Sequence, residues 1–417
     1  MKPAASSSDH NLRKILCGVA QGCPIESGYP GPAVCQSHAH QTPLHQFLPR
    51  KNTRHTIGKL LAIFVFFWGH SALNSHAAEH KKYLIEFGWD EPDARYLRDH
   101  ITEMEKIPFD GCVFHISYRK PSGGDGSFTW EGWSSNTITR AQVATSLEDL
   151  KATKFHRFTH NFLRFNVTPG DLDWFDDHSA ILNNARLAAE VAREGKCKGL
   201  LFDIEQYNSP IFEYHSRRDA TNKSWEVYAR QVRLRGNEVM RAFREGWPDA
   251  TIFLTFGYSL PWSNSRGGQK SLADCHYGLL APFLDGMMEV AARGQIVDGA
   301  ETAYSFNNPS RFAPHYKTLR ENLLPIVADP KSYQEKISIG FGLWLDHDWR
   351  KAGWETNDFS KNYFNPERLE SSLREALKVA DDYVWIYTEQ PRWWAKDGKP
   401  EKLPEPYTDA LKNARGR

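Results

Sequence analysis

Paired cysteine is what this sequence most clearly lacks. Of six cysteines in 417 residues, Cys17, Cys23 and Cys35 fall ahead of residue 79, leaving Cys112, Cys197 and Cys275. An odd remainder with no CxxC indicates neither a disulfide scaffold nor a zinc knuckle. At most one bridge can form, and Cys112 and Cys197, set in apolar strand patterns, read as small buried residues. Excess charge of either sign is also missing, with 52 basic against 51 acidic residues and a formal net charge of +1. That argues against work on nucleic acid or a membrane surface through bulk charge. No GxGxxG or GxxxxGK[ST] follows an early strand pattern, and no cofactor is expected. Internal repeats and low-complexity tracts are absent too. With 40% hydrophobic and 25% charged residues, the composition is that of an ordered globular body.

No apolar run is long enough to span a bilayer comfortably. The nearest candidate, LLAIFVFF (60–67), is preceded by Arg50, Lys51, Arg54 and Lys59 and followed by SALNSHAAEH, with Ala77 and Ala78 as small cleavage-site residues. Basic, apolar and small residues in that order form a secretory signal over about 55–78; an uncleaved N-terminal anchor is the competing reading. The signal predicts a secreted or periplasmic protein with no membrane span after cleavage. Residues 1–78 are set aside as leader and signal, and 79–417 are expected to fold as one domain.

What the sequence has in quantity is aromatic side chains, 14 Trp, 16 Tyr and 24 Phe, and a regular alternation of apolar and polar segments. Strand patterns occur at 82–89, 109–117, 155–163, 197–205, 251–258, 296–304, 337–345 and 382–389. Helix patterns occur at 93–106, 139–154, 179–195, 223–246 and 365–382, with Thr139 and Asn365 placed as N-caps. Eight strands alternating with helices predict an α/β fold, a (β/α)8 TIM barrel with long strand-to-helix loops. A doubly wound open sheet is the competing architecture.

In KGLLFDIEQY (198–207) an apolar strand ends in two acids. Alternation puts Leu201, Asp203 and Glu205 on one face and Leu200, Phe202 and Ile204 on the other. If the second set faces the helices, both acids point into the barrel mouth, where such barrels carry their catalytic groups. Same-face neighbours have Cα atoms ~6.5–7 Å apart, so each carboxylate raises the proton affinity of the other. A protonated acid beside an ionised one is what glycosidic cleavage needs, because the leaving oxygen must be protonated as the anomeric carbon becomes positive.

Further carboxylates stand at other strand ends. Glu389 closes YVWIYTE on the face of Trp385 and Tyr387; Glu301 follows the sixth strand pattern in ambiguous phase; Asp346 shares a face with Trp344; Asp90 flanks the first strand beside Trp89. Asp203, Glu205, Glu389 and Glu301 are the candidate catalytic set. Trp89, Asp90, Asn161, Arg164, Tyr207, Tyr258, Trp262, Tyr304, Trp344, Asp346, Trp385 and Tyr387 are candidate substrate-binding residues. Rings interleaved with polar groups suit the C–H faces and hydroxyls of a sugar.

The eight-strand pattern from about 82 to 394, with FDIE closing the fourth strand, resembles the (β/α)8 glycoside hydrolases, several of whose families, chitinase-like and lysozyme-like among them, place a DxE there. The resemblance implies an enzyme that hydrolyses an O-glycosidic bond in a poly- or oligosaccharide, with Glu205 as acid and Asp203 as its orienting partner or as nucleophile. Gly199 and Leu201 stand where the chitinase-like pattern has further aspartates. Two rival functions remain: a carbohydrate-binding barrel without catalysis, and a metal-dependent deacetylase using His156 and His160 with His115 or His347. HExxH is absent, the one HxH (His38–His40) falls in the leader set aside above, and no metal site is assigned.

Overall fold

The computed structural model describes residues 81–394 and 403–416; the leader, its cysteines and the signal segment lie outside them. The eight barrel strands are β1 (Tyr83–Gly88), β2 (Gly111–Phe114), β3 (Phe162–Asn166), β4 (Gly199–Asp203), β5 (Thr251–Leu254), β6 (Ile296–Asp298), β7 in two segments (Ile337–Ile339 and Phe341–Trp344) and β8 (Tyr383–Thr388). All pair in parallel and in chain order, and β8 returns to β1 from Tyr83↔Tyr383 to Gly88↔Thr388. The first segment of β7 pairs with β6 and the second with β8, so the ring closes through Gly340. The fold is the expected (β/α)8 barrel and not an open sheet.

A helix follows each strand: α1 (Ala94–Met104), α2 (Ala144–Ala152), α3 (Ser179–Glu194), α4 (Trp225–Gly246), α5 (Leu280–Val290), α6 (Pro330–Lys336), α7 (Pro366–Val379) and α8 (Glu405–Ala414). Asn365 caps α7 as its position predicts: its Oδ1 accepts from Arg368 N at 2.9 Å, with Pro366 opening the first turn. Asn365→Ala should cost about 1 kcal/mol in urea denaturation. Thr139 caps nothing. It donates from N and Oγ1 to the Gln142 side chain, and α2 begins only at Ala144. Helix α5 gives no periodic signal because it is buried almost all round, leaving no polar stripe to set a period.

Two apolar layers follow from strand alternation. Ile85, Phe87, Val113, Phe162, Leu201, Phe253, Val297, Tyr383 and Trp385 fill the barrel interior, while Leu84, Cys112, Leu163, Leu200, Phe202 and Ile252 pack beneath the helices. Cys112, Cys197 and Cys275 are buried and free. The pattern at 155–163 is misplaced as a strand: the chain is irregular until Phe162, and β3 runs on through Arg164 to Asn166. A charged residue in mid-strand reads as loop in sequence; here its charge is neutralised inside the barrel. Among the described residues no helix is long and apolar enough to cross a membrane.

Candidate active site

Interior alternation along β4 carries Asp203 to the C-terminal mouth of the barrel, with Glu205 just beyond the strand end. Asp203 is fully buried. Its Oδ2 accepts from Arg164 Nη2 at 2.6 Å and Nε at 3.2 Å and from Tyr207 OH at 2.9 Å, while its Oδ1 accepts from Glu205 N at 3.1 Å. Arg164, equally buried, also donates through Nη1 to Glu91 at 3.2–3.3 Å. Its guanidinium lies over Phe87 and Trp130, 5.0 and 5.2 Å from their ring centroids. Both Asp203 oxygens are thus engaged, and the Arg164 guanidinium is spent on Asp203, Glu91 and Tyr207.

Glu205 differs. Burial first, then the charge of Asp203, push its carboxyl up to about 7. The single Tyr207 proton goes to Asp203, so that hydroxyl does little to draw Glu205 back toward the ionised form.

Glu301, of ambiguous phase in sequence, is turned into the mouth. β6 ends at Asp298, Ala300 takes a left-handed φ of 44° with its N–H bonded to Asp298 Oδ1 at 2.9 Å, and Glu301 begins a short helical turn. The extended pattern to 304 thus ends six residues early. Burial and the charges of Glu205 and Asp203 raise the Glu301 carboxyl well above its ordinary range, while Tyr304 OH, donating to its Oε1 at 2.8 Å, opposes the rise. The charge of Glu205 is thus one of the causes that raise Glu301, which places the two carboxyls within electrostatic reach of each other.

Rings wall this mouth. Tyr304 packs on Trp385, Trp344 and Tyr387 with centroids 5.3, 5.6 and 6.0 Å apart. The inward position Gly342 makes room: a Cβ there would lie 2.8 Å from Trp385 and 2.9 Å from Tyr304. Asp346 accepts from Trp344 Nε1 at 3.1 Å and from the backbone N–H groups of Glu389 and Gln390, fixing the end of β8. Through this tie Glu389 joins the same acidic surround, where its charge raises both Glu205 and Tyr387. On the opposite wall Trp89 meets Trp130 edge-on at 6.0 Å, and Trp130 meets Tyr207 at 5.1 Å.

Other expected residues fall elsewhere. Asn161 precedes β3 at the N-terminal end of the barrel, accepting from Cys112 N and donating to Phe158 O; the misplaced strand put it at the wrong end. Tyr258 is buried against α5, its hydroxyl donating to Asp285 Oδ1 at 2.7 Å, because β5 stops at Leu254. Trp262 packs on the turn at Gly267 and Gly268. Asp90 is exposed at φ 63°. His160, stacked on Tyr83 with centroids 3.6 Å apart, lies with His156 at the barrel's N-terminal end. That is the end away from the carboxylates, which removes the deacetylase geometry. Among the described residues no three His, Cys, Asp or Glu side chains are grouped to hold a metal ion. Glu91, Trp130 and Tyr277, whose OH accepts from Gln206 N, were not singled out in sequence. They come from the connections between strands and helices, Trp130 from a short helix (Phe128–Glu131) capped by Ser127.

Raised carboxyls have a cost visible in stability. Burial pushes Glu205 and Glu86 up to about 7 and Asp298 to about 6, whereas the unfolded chain ionises such groups near 4–4.5. Between those values the folded state binds more protons, so raising pH favours unfolding. The melting temperature should fall from pH 5 to pH 8, and Glu205→Gln should flatten that fall; a flat wild-type profile contradicts the assigned protonation.

No protein-family model and no curated protein matches the chain. Solved structures similar to it include a chitinase, an endocellulase and an endoglucanase. Active domain 2 of a thermostable chitinase from Pyrococcus furiosus superposes with TM-score 0.43 at 10% identity, covering 81% of this chain and 96% of that one. A hyperthermophilic endocellulase from Pyrococcus horikoshii gives 0.41 at 13%, covering 80% and 92%. The catalytic domain of the major endoglucanase from Xanthomonas campestris pv. campestris gives 0.40 at 11%, covering 81% and 95%. The fold stands on the strand pairing described above, and the chemistry on the side chains at the mouth.

Proposed function

We propose that the chain hydrolyses an O-glycosidic bond in an oligo- or polysaccharide, with Glu205 as general acid and Glu301 as the partner carboxylate. The observation that carries this reading is that Glu205 and Glu301, following β4 and β6, are brought into one aromatic mouth, where burial pushes Glu205 up to about 7. Glu205 protonates the leaving oxygen. Glu301, whose Oε1 accepts from Tyr304 OH, acts in the state in which Glu205 holds the proton, and either attacks the anomeric carbon or draws a proton from the water that does; a separation of about 5–5.5 Å favours the first and ~6.5–9.5 Å the second. Asp203, held by Arg164, is the orienting partner: its Oδ1 accepts from the Glu205 backbone N–H. Glu389 and Asp346 keep the mouth acidic, which suits a sugar without carboxylate groups.

The test is product release by the full chain from a panel of poly- and oligosaccharides, beside Glu205→Gln and Glu301→Gln. Loss of cleavage in both folded variants is expected, and undiminished cleavage in either refutes its assigned role. The anomer formed first, read by proton NMR, distinguishes attack by Glu301 from attack by water. Export through the segment at 55–78 belongs to the same proposal; a mature N-terminus near residue 79 is expected, and an exported chain that still begins at Met1 refutes the cleavage.

A further inference from the structure

Among the described residues only two large apolar side chains are exposed, Leu234 and Trp349. Leu234 stands on the outer surface of α4, whereas Trp349 ends a line of rings that begins at the carboxylates. Tyr304 donates to Glu301; from Tyr304 through Trp344 and His347 to Trp349, successive ring centroids are 5.6, 4.4 and 4.4 Å apart. Exposure increases along the line, from half-buried Tyr304 and Trp344 to Trp349 at 38%. Burial lowers the proton affinity of His347, so that member is a neutral flat ring at pH 7.

The exposed end is held in place. Asp348, just before Trp349, is buried, and its Oδ1 accepts from Arg350 N at 2.8 Å and Nε at 3.0 Å; Arg350 Nη2 reaches Lys361 O at 2.6 Å. Keeping an indole half in water exposes apolar area that folding would otherwise bury. A ring kept out by tied neighbours can bind a ligand with little ordering left to do.

We propose that Trp349 forms a distal subsite for a glycan chain, so that the site takes an extended oligosaccharide of several units in place of a small glycoside. The identity of the ligand rests on the glycosidase reading. Trp344, His347 and Trp349 form one tilted cluster, with Trp344 and Trp349 edge-on at 6.2 Å, so a sugar unit beyond the cleaved bond would lay its C–H face on the exposed Trp349 indole, with hydroxyls turned to solvent.

Binding of cellobiose, cellohexaose, chitobiose and chitohexaose to the full-length Glu205→Gln protein, which holds ligand without cutting it, tests this by calorimetry against Glu205→Gln/Trp349→Ala. The hexamer of at least one series should bind more tightly than its dimer, and Trp349→Ala should weaken the hexamer about tenfold while leaving the dimer unchanged. Trp349→Phe, which keeps a ring, should restore part of the loss. Equal effects on both lengths, no preference for either hexamer, or no binding at all overturns the proposal. Hydrolysis is scored separately with the wild type: ring-dependent hexamer binding without cleavage keeps the subsite and removes the hydrolase, and cleavage with length-independent binding does the reverse.

Discussion

Glu205→Gln should lower glycosidic cleavage by about 10²–10⁴-fold with the fold intact, the range that one positioned general acid contributes. Glutamine keeps the size and outline of the protonated acid while the transferable proton is gone. Two signatures separate this from damage to the site. The wild type should lose kcat/KM as pH rises through about 7, where Glu205 ionises, and the variant should lack that alkaline limb. An aryl glycoside whose leaving group departs without protonation should be spared most of the loss. A uniform loss across all leaving groups, with the alkaline limb retained, would assign the acid elsewhere, first to Glu301.

Arg164→Met should destabilise the barrel by about 3–5 kcal/mol, the usual result of removing one member of a buried ion pair. The size follows from what is left behind: Asp203 fully buried and Glu91 5% exposed, both on the cation 2.6–3.3 Å away, neither able to recruit water without opening the mouth. Adding Asp203→Asn should restore part of the stability, because one stranded charge is then removed, although activity stays low. Urea denaturation of the two variants checks this. A loss below about 1 kcal/mol for Arg164→Met would mean that the pair is solvated and that Asp203 is free for chemistry of its own.

Strand number, strand order and the inward phase of β4 and β8 were legible in the sequence because they depend on alternation over five or six residues, which burial on one face enforces locally. Thus Asp203, Glu205, Trp385, Tyr387 and Glu389 were placed before any fold was in view. The start of α7 was legible from its cap at Asn365; at Thr139 the same cue sat in a turn. Asn161 and Tyr258 were misjudged because loop residues extended a strand pattern beyond its real bounds, ahead of the start at Phe162 in one case and past the end at Leu254 in the other, which moved a side chain to the wrong end or the wrong side of the barrel.

The sequence by itself therefore determined a ring of eight strands with acids at several of their ends, since side-chain period is a property of neighbouring residues. Only the tertiary structure decided which acids act together. The Arg164 charge that locks Asp203 comes from a strand 39 positions away, the Ala300 turn aims Glu301 at Glu205, and burial of that pair raises both carboxyls. Proton affinity is set by the charges and the water that close around a group, and those are brought together by closure of the barrel.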